Sequence, residues 1–201
     1  MPVSPREPVR SRSQQRRERE RAQARAAILE AARELARTEG WDAVSMRRLA
    51  ERIGYSTNYA YRYFGGRDDI LLAWVRDGFV RVAEAMRAAG PSLHDAGSAY
   101  LDFALDEPDL YQVMYGLGGV HVPAADTITE GNAVGAVVAG LLGITDPNDD
   151  RIVRLWATAH GLAALHAIGK LPIDRAHLHR LLAASIDDLL RSGHDPGRAD
   201  R

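Results

Sequence analysis

Residues Ser45–Arg67 read SMRRLAERIGYSTNYAYRYFGGR, and the two halves of this stretch are built from different residue types. In the first half Met46, Leu49, Ala50 and Ile53 recur at spacings of three and four, the apolar face of a short helix. Gly54 breaks that helix, and Ser56 offers a side-chain oxygen to cap the next one. The second helix, expected over 57–64, carries Tyr59, Tyr61, Tyr63 and Arg62 and almost no aliphatic bulk. A core helix is not composed that way. Phenol hydroxyls and a guanidinium, propped on a small apolar helix, suit a helix-turn-helix that reads DNA.

Upstream, Ala24, Ile28, Ala31, Ala32, Leu35 and Ala36 predict a helix from Ala22 to Thr38, ended by Gly40. Trp41 and Val44 follow in a short connection, with Trp41 packing back on the bundle. The expected DNA-binding domain is 22–82, with its motif at 45–64. Residues 1–21 are rich in Arg, Glu, Gln and Pro with no apolar face. They are expected to be a disordered basic arm or a frayed helix extension, either a solvated tail or an arm reaching into a minor groove or along phosphates.

Charge is distributed unevenly along the chain. Residues 1–70 hold 15 arginines against 10 acidic residues, and the remainder is acidic, although the 201-residue chain has a formal net charge of −1. One end is therefore suited to a polyanion. Cysteine is absent, so neither disulfides nor thiolate-bound metal enter the reading. The N-terminal stretch lacks the apolar run of a signal peptide. The longest apolar stretch, Ala133–Ile144, is too short to span a bilayer. A cytoplasmic protein is the expectation.

Beyond Arg67, Ile70, Leu71, Trp74, Val75, Phe79, Val82 and Met86 form a broad stripe, expected on a helix that couples two parts of the chain. Residues 83–192 are expected to form a helical effector-binding and dimerisation domain, with 193–201 a polar tail. Tyr100–Leu105 and Leu110–Tyr115 are read as helices on either side of Pro108, and 125–142, rich in Ala, Val and Gly, as a buried helix. Stripes over 149–168 and 174–190 suit pairing with a twin chain in a four-helix interface, the alternative being burial within one monomer.

The run ILEAARELARTEGWDAVSMRRLAERIGYSTNYAYRYFGGRDDIL, 28–71, resembles the amino-terminal domain of tetracycline-repressor (TetR) type regulators. The likeness lies in Ala31-Ala32-x-x-Leu35, Gly40, Leu49-Ala50, Gly54-x-Ser56, Tyr61-x-Tyr63-Phe64 and Arg67 before two acids, Ile70 and Leu71. Asn58 stands where that family often has Gly, and Ala60 replaces a bulkier aliphatic residue, so operator preference is expected to depart there. Tyr63 and Arg67 stand where His and Lys are commoner. LDFALDEPDLYQVMYG and LWATAHGLAALHAIGKL resemble one subgroup, through Trp156, His160 and Gly161.

The expected architecture is all-α, with a three-helix helix-turn-helix domain followed by a helical domain. Thr57, Asn58, Tyr59 and Arg62 are expected near base edges, where Asn pairs with adenine, Arg with guanine and a Thr methyl meets the thymine methyl. Tyr61, Tyr63 and Arg67 are expected at phosphates, as the resemblance implies. Ser45, Arg47 and Arg48 sit at the start of the second helix, where its dipole assists phosphate contact, and Ser56 closes the set. An apolar or aromatic effector is expected among Tyr100, Phe103, Tyr111, Met114, Tyr115 and Trp156, residues that also suit a plain core. No catalytic constellation, metal site or cofactor motif is found, and His160 is read as an interhelical hydrogen-bonding residue. The resulting expectation is a homodimeric, ligand-responsive repressor on a palindromic operator, not an enzyme. The competing readings are a ligand-binding protein or enzyme whose helix-turn-helix no longer binds DNA, and an activator or architectural DNA binder without an effector.

Overall fold

The computed structural model describes residues 11–117, 119–146 and 148–192, and within them all regular structure is helical. The chain divides into two compact units, 1–70 and 71–201.

In the first unit, α1 spans Arg12–Glu39, a single 3-10 turn spans Trp41–Ala43, α2 spans Met46–Arg52 and α3 spans Thr57–Tyr61. The helix start expected at Ala22 is corrected. Ser11 accepts from the Gln14 backbone while the Gln14 side chain accepts from the Ser11 N–H, a capping box that nucleates the helix early. An i,i+4 pair, Arg16 with Glu20 at 3.1 Å, lies on the same extension. Residues 12–21 are thus helical rather than disordered; residues 1–10 of the expected arm and the tail at 193–201 lie outside the described residues. No side chain before Ala24 is buried, so α1 projects about 18 Å, at 1.5 Å per residue, before it meets the core.

That core is small and apolar. Ile28, Ala32 and Leu35 of α1 are buried, as are Val44, Leu49, Ala50, Ala60 and Phe64, and Trp41 is buried in the 3-10 turn. The turn between α2 and α3 is a Schellman closure: Tyr55 N–H donates to Ala50 O and Gly54 N–H to Glu51 O, with Gly54 left-handed at φ +75°. Ser45 caps α2 and Ser56 caps α3. The helix expected over 57–64 is shorter. After Tyr61 the backbone tightens, with Arg62 N–H donating to Tyr59 O and Tyr63 N–H to Ala60 O.

α4, Arg67–Ala89, runs across the division between the units; the expected boundary at 82 falls later on the same helix. Its stripe is buried from Ile70 to Met86, as the spacing predicts. In the second unit follow α5 (Leu93–Asp106), α6 (Pro108–Met114), α7 (Ile128–Leu142), α8 (Asp150–Ala167) and α9 (Arg175–Ser192). Pro108 occupies the first turn of α6, where its missing N–H costs nothing. α5 lies against α6, α7, α8 and α9. A Cβ at Gly97 would stand 3.0 Å from Ile186 Cδ1, so glycine permits the close α5–α9 approach. Across that seam Arg175 pairs with Asp102 and Asp106, His179 with Asp102 and His94 with Asp187.

α7 corrects a second expectation. Its composition suits a buried helix in close contact with neighbours, yet Val134 is its one buried residue and Ile128 is exposed. Gly131, Gly135 and Gly140 each face open space. Apolar composition without a dominant stripe does not aim the helix at a core.

Candidate nucleic-acid interface

The surface of α3 is sorted by one contact chain. Tyr55 stacks on Tyr59 with centroids 4.0 Å apart and planes 11° apart, and Tyr59 meets Tyr63 at 5.0 Å. These residues are four apart, and the rings form a ladder that starts in the turn before α3 and ends just after it. A hydrogen bond with Tyr63 is the main cause that pushes the Tyr59 hydroxyl up to about 12. Tyr59, expected at a base edge, is therefore engaged along the helix. Ala60, on the inner face, is fully buried, so the small side chain is the contact of α3 with its support.

What remains outward is Asn58, Tyr61 and Arg62, with Tyr61 53% exposed and Thr57 half-buried at the first turn. Asn58 and Arg62 are bidentate hydrogen-bonding residues, and among the described residues no ion pair or hydrogen bond engages the Arg62 guanidinium. Ser56 and Ser45 spend their hydroxyls on caps, accepting from Tyr59 and Arg48 N–H at 3.3 Å each. Arg47 is exposed and only loosely paired with Glu51 at 3.8 Å. Arg48 is bound instead to Glu39 at 2.6 Å and to Ala43 O. Arg67 pairs with Asp42 at 3.2 Å and lies over the Trp41 ring at 5.2 Å, which ties α4 to the 3-10 turn.

Three arginines outside the expected base- and phosphate-contact set complete this surface, two of them in the basic arm expected over 1–21. Arg17, Arg21 and Arg25 recur every four residues on α1. Arg25 lies 4.1 Å over the Phe64 ring and donates to the Tyr63 carbonyl. One and two turns earlier, Arg21 and Arg17 line a cleft of about 370 Å³ with Glu20, Arg62 and Tyr63. The i,i+4 arginine spacing is the signal in the sequence that aligns them on one helix face.

In the second unit the expected effector residues cluster differently from a lined cavity. Tyr100 donates to Tyr115 at 3.1 Å. Tyr100 also shares a hydrogen bond with Tyr111 at 3.0 Å, and Tyr111 shares one with His160 Nδ1 at 2.8 Å. Burial lowers the pKa of His160, which favours the neutral imidazole. Burial raises all three tyrosines. Trp156, 49% exposed, stacks on His160 at 5.7 Å and bonds Tyr115. Phe103 is buried beneath the Arg81 guanidinium, and Met114 lies against Gly78, where a Cβ would come within 2.5 Å of its sulfur. Of the six, Tyr100, Tyr111, Tyr115 and Trp156 are brought together, joined through His160, which makes the α6–α8 hydrogen bond expected of it. Among the described residues no group of three or more His, Asp or Glu side chains is placed to hold a metal ion, and no helix is long and apolar enough to cross a membrane.

Residues 28–74 match the family model for bacterial regulatory proteins of the tetR family, and residues 93–189 match the tetracyclin repressor-like C-terminal domain. The chain is 25% identical over 196 residues to the HTH-type transcriptional regulator Rv1816 of Mycobacterium tuberculosis, covering 76% of this chain and 84% of that one. It is 33% identical over 67 residues, 33% of this chain and 36% of the relative, to the HTH-type transcriptional repressor AcnR of Corynebacterium glutamicum. The crystal structure of SCO4313, a candidate regulatory protein, superposes with a TM-score of 0.72 and 28% identity over 87% of this chain and 98% of that chain. Both units match models of one family in the family's own order, together over more than half of the chain: the protein belongs to the tetracycline-repressor (TetR) family and is a helix-turn-helix DNA-binding transcriptional regulator.

Proposed function

We propose that this regulator is a ligand-responsive repressor that binds a near-palindromic operator as a homodimer. The observation that carries the reading is the outward set on α3, Asn58, Tyr61 and Arg62, held on a capped and fully packed support. Thr57 and Tyr59 flank that set. Tyr63, Arg47 and Arg67 lie beside it as phosphate donors, Ser45 and Ser56 fix the helix starts, and Arg48 braces α2. Two copies of α3 would enter successive major grooves about 34–36 Å apart. The dimer forms through α8 and α9, which leave Val153, Trp156, Leu165, Ile168, Leu181 and Leu190 exposed. Gly161, with open space around its Cα, lets a partner helix come close.

The effector is a small apolar or aromatic molecule that enters at Trp156 and meets the Tyr100, Tyr111, Tyr115 and His160 network, with Phe103 and Met114 behind it. The Trp156, His160, Gly161 arrangement on α8 supports membership of the Trp-His-Gly subgroup. α4 carries the coupling between the units; a difference of roughly 1–3 kcal/mol in effector affinity between two states is enough to release DNA. The protein acts in the cytoplasm and catalyses no reaction. Selecting bound sequences from a random DNA pool tests the reading. A palindrome with half-sites about one helical turn apart is expected; recovery of no enriched sequence would sink it.

A further inference from the structure

The α1 stripe of Arg17, Arg21 and Arg25 is built against the end of α3. Arg25 is spent on structure: its guanidinium covers Phe64 and donates to the Tyr63 carbonyl. That tether fixes the direction of the two turns before it. Arg17 and Arg21 are consequently held beside Arg62 and Tyr63, around a cleft of about 370 Å³, rather than left on an undirected tail. The one carboxylate in the cleft wall, Glu20, is engaged by Arg16 at 3.1 Å. Three guanidiniums and a phenol thus line the cleft, with the carboxylate in its wall paired to Arg16. Arginine presents a planar fork of donors that matches phosphate oxygens, and three such forks around one open cleft suit a sugar-phosphate chain.

We infer that this cleft is a second backbone-binding site, in which Arg17 and Arg21 on α1 and Arg62 beyond α3 clasp phosphates of the DNA strand flanking the half-site. The inference rests on the DNA-binding reading and extends it to residues outside the helix-turn-helix. The cleft reads no sequence; it lengthens the footprint and adds salt dependence. Arg62 joins the two sites, since it stands at the end of the recognition helix and in the wall of the cleft.

The test measures DNA affinity of the full chain against salt by fluorescence anisotropy, using a duplex with its selected site and long flanks. Arg17→Ala/Arg21→Ala is compared with Arg12→Ala/Arg19→Ala, which removes equal charge from the opposite face of α1 at 3.6 residues per turn. All four positions are exposed, and circular dichroism checks that each variant stays helical. The first variant is expected to lower the slope of log K against log salt by about 2, at about 0.9 per phosphate contact, and to weaken binding equally on any flanking sequence. The second is expected to leave the slope near wild type. Trimming the flanks should cost wild type affinity and leave Arg17→Ala/Arg21→Ala unchanged. An unchanged slope in the first variant, or an equal drop in both, overturns the cleft while DNA binding stands. Failure of wild type to bind any duplex overturns the regulator reading, and the cleft falls with it.

Discussion

Two sets of three tyrosines sit in this molecule and do opposite things. Tyr55, Tyr59 and Tyr63 lie four residues apart, in the turn before α3, in α3 and just after it; the Tyr55 and Tyr59 rings stack and Tyr63 meets Tyr59 tilted. Tyr100, Tyr111 and Tyr115 come from α5, α6 and the residue just after it, are largely buried, and join through their hydroxyls. In the first set water solvates the phenols, so the rings hold the geometry. In the second set water is excluded, and each hydroxyl costs stability unless it is bonded. The same side chain is a spacer on a surface and a hydrogen-bond junction in a core.

The largest effect expected from breaking this contrast is at Tyr111. Tyr111→Ala leaves a cavity among α5, α6 and α8 and should cost about 3–5 kcal/mol in urea unfolding. Tyr111→Phe keeps the ring but strands His160 Nδ1 and Tyr100, and should cost about 1–3 kcal/mol. A phenylalanine variant as stable as wild type would show that the network is not what holds the cluster.

A pH-dependent effect follows from His160. Its pKa is lowered in the folded state from 6.5 by burial, so between the folded value and 6.5 the unfolded chain binds more protons. Stability should therefore fall as pH is lowered through 6.5 and level off below the folded value. His160→Asn, which places an amide able to donate or accept near Nδ1 but does not titrate, should flatten that part of the pH profile relative to wild type in thermal melts. Parallel profiles for the two proteins would refute the assignment.

The smallest effect belongs to the surface ladder. Tyr59→Phe keeps the stack with Tyr55 and Tyr63, so operator affinity should stay within about twofold, the scale of an ordinary surface change. Tyr59→Ala opens the ladder and should weaken binding more. A large loss for Tyr59→Phe would instead show that the hydroxyl reaches DNA.

The helix-turn-helix was legible because its information is local. Gly54 and Ser56 set a turn, Met46, Leu49 and Ala50 set a buried face, and spacing along a helix converts directly into geometry. Arg67 shows where local reading stops: its position was plain, but its pairing with Asp42 and contact with Trp41 depend on residues about 25 positions away. Ser45 and Ser56 were legible as caps, since a serine ahead of a helical run offers its oxygen to the first turn of N–H groups. α7 misled because composition names what a helix is made of, whereas burial depends on which neighbours arrive.

From sequence alone came the all-helical class, the motif, the stripe of α4 and the helix break at Pro108, since each rests on periodicity or on one residue's backbone preference. Only the tertiary structure decided which three tyrosines meet, which of them reaches His160, and that Arg17 and Arg21 converge on Arg62. Those facts join segments up to 49 residues apart, and no spacing along the chain specifies the distance between side chains on separate helices.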